Sequence, residues 1–392
     1  MRDYLNHAQN LLDYTIALRR DFHQYPELGF QEFRTARIVA EELKNLGIPV
    51  KTGIAETGVM ALIEGSHPGP VVLLRFDMDA LPIQEEAGVV YASKNPGKMH
   101  ACGHDGHTAV GLTVAQILYS HRDRLSGKIK LIFQPAEEGL GGAQRMISEG
   151  ILENPKPDIA LALHLWNEKP AGWLGIARGP VMAAAETFEI SINGKGGHGA
   201  APHLAIDPIL AGSQIVVALQ SIVARNVAPI ETAVVSVTMF HGGDAFNIIP
   251  SRVSLQGTIR TFTPEVRSSV LKRFQSIVSG TAVAFGCEAV ITLRQLTPAV
   301  VNNDRITERL QEVASLLLPE NIIDRRTRTM TSEDMAFILQ EIPGCFIFVG
   351  SANSDKHLNA AHHHPKFDFD EQVLSNAAAL MSAAAEELLS NY

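Results

Sequence analysis

Three stretches in the first half of the chain start as unbroken apolar runs and turn polar at their ends. They are VVLLRFDMDA (71–80), KIKLIFQPAEEG (128–139) and PDIALALHLW (157–166), the last reaching a histidine. Helix-patterned segments lie between them, such as HTAVGLTVAQILYSHRD (107–123). Buried apolar strands alternating with helices predict a largely parallel sheet covered on both faces. Ligands bind such sheets beyond the carboxyl ends of the strands. Asp77, Asp79, Glu137, Glu138 and His164 fall at those ends, and Cys102 and His104 fall in a loop that opens a helix.

The middle of the chain is patterned differently. ETFEISINGK (186–195), ETAVVSVTMFHGG (231–243), SRVSLQGTIRT (251–261) and CEAVITLRQL (287–296) read as strands, with helices over 207–225 and 263–286. The order βαββαβ is the split ferredoxin-like arrangement. The prediction is an α/β chain with a discontinuous larger domain, residues 1–182 and 298–392, and a small inserted domain, residues 183–297. Residues 1–22 read as one amphipathic helix, and SEDMAFILQEIPGCFIFVGS (332–351) completes the first sheet.

A length of 392 residues exceeds the usual single core and agrees with two domains. The 46% hydrophobic and 19% charged content is that of an ordinary globular protein. A net charge of -9 leaves no electrostatic footprint for nucleic acid. No apolar run reaches the length of a membrane span, and the first residues lack the pattern of a signal peptide. Three cysteines make no disulfide framework and fit a reducing cytoplasm. The unusual feature is 15 histidines, many in short polar clusters.

The densest cluster is HACGHDGH (100–107), three histidines and a cysteine in eight residues. A zinc finger needs a second Cys/His pair at defined spacing, and none follows, so a catalytic metal site assembled from distant segments fits better. In QPAEEG (134–139) two adjacent carboxylates end an apolar strand, where one can bind metal and the other act as general base. Taken alone the pair also reads as a solvated acidic turn. His164 alone reads as a core histidine, and AHHHP (361–365) alone as a solvated loop. Together these segments supply a thiolate, a carboxylate, three imidazoles and a spare glutamate, the parts of a two-metal hydrolytic site.

Eight stretches then carry a family resemblance: RRDFHQYPELGFQE (19–32), RFDMDALPI (75–83), MHACGHDGHT (99–108), FQPAEEG (133–139), GKGGHGAAPH (194–203), FNIIPSRVSLQGTIRT (246–261), TSEDMAF (331–337) and HHPKFDFDE (363–371). In one order over nearly the whole chain, they resemble the aminoacylase, hippurate hydrolase and auxin-conjugate amidohydrolase group of dinuclear metallopeptidases, relatives of carboxypeptidase G. The resemblance implies a zinc-peptidase-like catalytic domain with a largely parallel sheet, and a ferredoxin-like lid and dimerisation domain. It implies two divalent ions per subunit (zinc, manganese, cobalt or nickel) held by Cys102, His104, Glu138, His164 and His363. Cys102 would bridge them, and His363 is singled out because it stands two residues before Pro365. His362 stands where relatives carry leucine. Glu137 would be the general base, and Asp79 would orient a ligand from behind. His198 would reach a neighbouring subunit's site and stabilise the oxyanion. Asn247 and Arg260 would hold the substrate carboxylate, a task suited to the planar guanidinium. His23, Pro26 and Glu27 read as structural.

The expected reaction is hydrolysis of the amide bond of small N-acyl amino acids by a cytoplasmic homodimer or higher homo-oligomer, with no nucleic-acid or membrane partner. A dipeptidase or carboxypeptidase on the same scaffold is the alternative. A thiol hydrolase with Cys102 as nucleophile is a mechanistically separate rival.

Overall fold

A computed structural model of the chain describes residues 2–391, which divide into two compact units. The first comprises residues 2–181, 300–328 and 333–391, and the second residues 182–299 with 329–332. The short return at 329–332 has no counterpart in the hydrophobic pattern. It joins the second unit because Thr329 bridges Met182, and Ala183 donates its amide to the Thr331 carbonyl.

The first unit is built on eight strands: β1 (Val50–Ile54), β2 (Gly58–Glu64), β3 (His67–Asp77), β4 (Ser126–Gln134), β5 (Ile159–Pro170), β6 (Trp173–Gly175), β7 (Ile322–Asp324) and β8 (Gly344–Ala352). Their order in the sheet is β1-β2-β4-β3-β5-β8-β6-β7. The central pairings β4–β3, β3–β5 and β5–β8 are parallel, β1–β2, β2–β4 and β8–β6 are antiparallel, and β6–β7 at the far edge is parallel again. The apolar runs are the buried centre, with Val71 to Asp77 all enclosed. Helix His104–Ser120 is buried nearly all round and lies on this sheet. Gly111 allows the approach, since a Cβ there would sit 2.7 Å from the rings of Phe76 and Phe133. The alanine-rich helix Val373–Asn391 packs beside it.

Two details differ from the pattern. The N-terminal segment is two helices, Arg2–Asn10 and Leu12–Gln24, because the backbone of Leu11 leaves the helical region (ψ 1°). Strand β5 does not close at His164 but continues to Pro170, since its partner β8 runs on alongside it to Ala352.

In the second unit a four-stranded sheet runs in the order Ala233–His241, Arg252–Thr261, Ala184–Asn193, Glu288–Thr297, with every pair antiparallel. That is the ferredoxin-like order. Helix Pro208–Ser221 is capped by Asp207, and helix Pro264–Ala284 by Thr263. The first of these, extended to Asn226, is long and apolar enough to cross a membrane, against the expectation that no segment is. One face of it, however, with Ala211, Ile215, Leu219 and Ile222 at helical spacing, packs into this unit's core, while Ile209, Leu210 and Val217 are exposed.

Candidate active site

The carboxyl ends of β3, β4 and β5 converge on one cluster of side chains. Strand β3 delivers Asp77 as its last residue and Asp79 just beyond. Strand β4 leads into the turn bearing Glu137 and Glu138, made possible by Ala136 at φ 56°. Strand β5 carries His164. Cys102 and His104 flank Gly103, whose φ of 88° turns the loop into the helix. His363, at φ 64°, sits on the C-terminal loop, and its amide donates to the Ala101 carbonyl, 2.8 Å, which ties that loop to the Cys102 turn.

The hydrogen bonds fix which nitrogen of each imidazole is free. His104 Nδ1 donates to the backbone oxygen of Asp79 (2.9 Å), with Asp79 Oδ1 at 3.2 Å, leaving Nε2 buried and without a hydrogen-bonding partner. His164 Nδ1 donates to the Leu165 carbonyl (2.7 Å), leaving Nε2 3.5 Å from the Cys102 sulfur. Asp79 Oδ2 accepts the Glu138 amide at 3.0 Å, so this one carboxylate orients both a histidine and the acidic turn. His363 Nε2 stands 3.1 Å from Glu138 Oε1, which has no hydrogen-bonding partner. The donor atoms of Cys102, His104 and His164 lie within 4.8 Å of one another, as do those of Cys102, Glu138 and His363. The two triads share Cys102. His104 Nε2 and Glu138 Oε1, buried and without hydrogen-bonding partners, are atoms that bound cations would satisfy.

The electrostatics express the same crowding. Burial pushes the Cys102 thiol up, helped by Glu138. Burial, then His107 and His362, hold His164 well below the usual imidazole range. Burial opposes charge on His104, but Asp77 and Cys102 outweigh it and hold that ring well above the range. Cys102 and then Glu138 beside it raise His363 to about 10. Glu137 is pushed well up by burial and by Glu333, Glu138 and Asp334. A bound cation would reverse much of this by stabilising the anionic donors.

A second layer was not singled out from the pattern. Arg75 is buried near the carboxyl end of β3 and donates to Gln134, Asp77, Glu333 and Asp334. The Asp334 amide in turn approaches Glu137 Oε1 at 3.3 Å. On the other side, buried Arg19 binds Asp105, Asp368 and Glu371, and His23 shares Asp105. Glu27 accepts the amides of Arg34 and Thr35 and so caps the next helix. The signal for both arginines was available. A charge inside an apolar run, or on the apolar face of a helix, demands buried partners.

His362 and His364 do not join the cluster of donors. His362 Nε2 donates to the Leu165 carbonyl (3.0 Å), and its ring packs between Trp166 and Phe367. His364 Nδ1 accepts the Lys366 amide.

The remaining predicted residues lie in the second unit. His198 is exposed and pairs with Ile248, and the Gly199 amide donates to the Asn247 carbonyl, so His198 and Asn247 line one cavity of about 1120 Å³ with His241 and Arg252. His198 Nδ1 accepts the Ala200 amide at 3.0 Å, which places its proton on Nε2. Arg260 does not line this cavity. Its guanidinium folds back on its own strand to Thr258 and the Ile259 carbonyl.

Such an arrangement, carboxylates, imidazoles and a thiolate converging beyond the strands of an α/β sheet, defines a hydrolase built on a metal-capable centre. The chain belongs to Peptidase family M20/M25/M40, whose profile matches residues 73–387, and is a hydrolase of amide bonds. It is 41% identical to an N-acetyl-L-cysteine deacetylase of Bacillus subtilis, over 95% of this chain and 88% of that protein. It is 39% identical to thermostable carboxypeptidase 1 of Saccharolobus solfataricus, over 95% of both. Among solved structures, the YXEP protein of Bacillus subtilis, described as a dinuclear metal-binding peptidase of the M20 family, superposes with a TM-score of 0.86 at 34% identity, covering 98% of this chain and all of that one.

Proposed function

We propose that this chain hydrolyses the amide bond of N-acyl amino acids, with two divalent ions held by Cys102, His104, Glu138, His164 and His363 and with Glu137 as general base. The observation that carries the reading is the pair of donor triads sharing Cys102, with Glu137 beside them. The ions, when bound, supply acidification of the attacking water and polarisation of the scissile carbonyl. Glu137 takes the proton from that water and returns it to the leaving amine. Burial, with Glu333, Glu138 and Asp334 nearby, makes its carboxylate more basic and so suits it to take up a proton. Asp79 keeps His104 and the Glu138 turn in register.

His198 presents Nε2–H, the donor form that oxyanion stabilisation needs, and acts in a partner subunit's site. Asn247 and Arg260 bind the substrate carboxylate. A catalytic domain and a lid and dimerisation domain correspond to the two units, and the enzyme is a homodimer. Three free, buried cysteines fit a reducing cytoplasm. The likeness to a deacetylase supports an N-acyl substrate, and the likeness to a carboxypeptidase supports the second reading, a peptide in place of the acyl group.

The test is amino-acid release from N-acetyl, N-benzoyl and N-indoleacetyl amino acids and from dipeptides, using chelated protein before and after zinc or manganese is restored. Metal-dependent release from acyl substrates above dipeptides supports the reading. Full activity in the chelated protein, abolished by alkylation of Cys102, would point to thiol chemistry.

A further inference from the structure

Strands β3 and β5 pair from Val72–Ile159 to Arg75–Ala162 and then part, while β5 stays paired with β8 as far as Trp166. Beyond Ala162 the side of β5 facing β3 therefore has no strand to accept its amides, and the Leu165 amide lies in that gap. A buried amide without an acceptor is costly. It donates instead to His107 Nε2 at 2.9 Å.

His107 has no exposed surface, and both its ring nitrogens are engaged. An amide can only donate, so Nε2 is the lone pair and the ring proton sits on Nδ1, 2.6 Å from Asp77 Oδ1. The other oxygen of Asp77 is held by Arg75 at 2.7 Å. On the far side, the Leu165 carbonyl accepts His164 Nδ1–H, which leaves His164 Nε2 turned toward the Cys102 sulfur. The peptide that His107 grips is the one joining His164 to Leu165.

We propose that His107 is a positioning residue that stands in for the missing strand and, with Asp77 and Arg75 behind it, sets the place and the tautomer of His164. Although His107 belongs to the histidine-rich run, the bonds on both nitrogens take it out of the set of metal donors. The inference rests on the reading of His164 as a metal ligand.

The test is titration of cobalt(II) into chelator-stripped protein, followed by visible absorption and by metal analysis after gel filtration, in wild type, H107N, H107Q and H164A. H107N keeps a donor for Asp77 but cannot reach the Leu165 amide, whereas H107Q returns an acceptor oxygen near the position of Nε2. Folding of each stripped variant is checked by its thermal unfolding. One of two bound ions is expected to weaken about 10- to 100-fold in H107N, the usual size of such supporting contacts, to recover most of its affinity in H107Q, and to be lost in H164A. If H107N does not fold, H107F takes its place with the same expectation. Loss of an ion in H164A with wild-type affinities in folded H107N or H107F would overturn the inference and leave the ligand reading intact. Retention of both ions by H164A would overturn the ligand reading and this inference with it.

Discussion

Glu137 and Glu138 are neighbours in sequence with opposite surroundings. Glu138 meets His363 and the Asp79-held turn, while Glu137 leans on the Asp334 amide among carboxylates. If the two divide ligand and base as proposed, E137Q should lower kcat about 100- to 10,000-fold while the purified protein still carries two ions. Initial rates and metal analysis together check this, and loss of metal would assign Glu137 to the ligands instead. A second buried carboxyl gives a pH prediction. Glu32 accepts from Thr57 Oγ1 (2.6 Å) and from the Ala136 amide (2.9 Å), and burial pushes it from 4.5 up to about 7. Its folded value lies above its unfolded one, so the folded state holds the extra proton between those values. The stability it contributes is present below 4.5 and is lost as pH rises through 7. In E32Q, the amide oxygen can keep the Ala136 bond and the amide nitrogen can donate to Thr57. The variant should therefore lose less unfolding free energy than wild type between about pH 5 and about pH 8, by on the order of 3 kcal/mol, in denaturant titrations at each pH. The residues legible in the sequence were those with metal-binding chemistry. Arg75, Glu333 and Asp334 were not picked out, because their role is to satisfy one another across 258 positions of chain.

At the scale of elements, the turn that carries Glu137 and Glu138 depends on a residue with no chemistry of its own. The segment from Pro135 to Gly142 folds back so tightly that a Cβ on Gly142 would overlap the Pro135 carbonyl oxygen. The Gly142 amide closes the turn on the Ala136 carbonyl at 3.0 Å. G142A should thus displace the turn that carries Glu137 and Glu138, lowering bound metal and activity together while the rest of the sheet stays folded. Metal analysis beside circular dichroism checks it, and a fully active, fully loaded variant would refute it. The strands were legible because continuous apolar runs need no long-range information. Their ends were less so. The extension of β5 past His164 depends on a partner strand 184 residues later, as the register of Leu163 with Ile347 shows. The break at Leu11 leaves no trace in the hydrophobic period.

Across the whole chain, the first unit is closed by its two ends. Arg19, in the second helix, binds Asp368 at 2.7 Å across 349 positions and also holds Asp105 beside His104, so the segment that carries His363 is anchored to the helix that carries His104. No local pattern announces such a link, although the resemblance marks both RRDF and FDFDE as shared stretches. The second unit presents His198 and Asn247 on one exposed cavity, and the proposed role of His198 in a partner's site makes a prediction that only an assembly can satisfy. H198A lacks the oxyanion donor and E137Q lacks the base, so each alone should be nearly inactive. Mixed in equal amounts under conditions that exchange subunits, half the dimers are hybrid. Each hybrid then has one site with both Glu137 and the partner's His198 intact, so about a quarter of wild-type activity should return if the sites are completed across a two-fold interface. If His198 serves its own subunit, every site keeps one lesion and no activity returns. Size-exclusion chromatography with light scattering shows whether dimers are present, and mass spectrometry of differently tagged chains shows whether they have exchanged. Verified exchange without recovered activity would therefore count against the proposal.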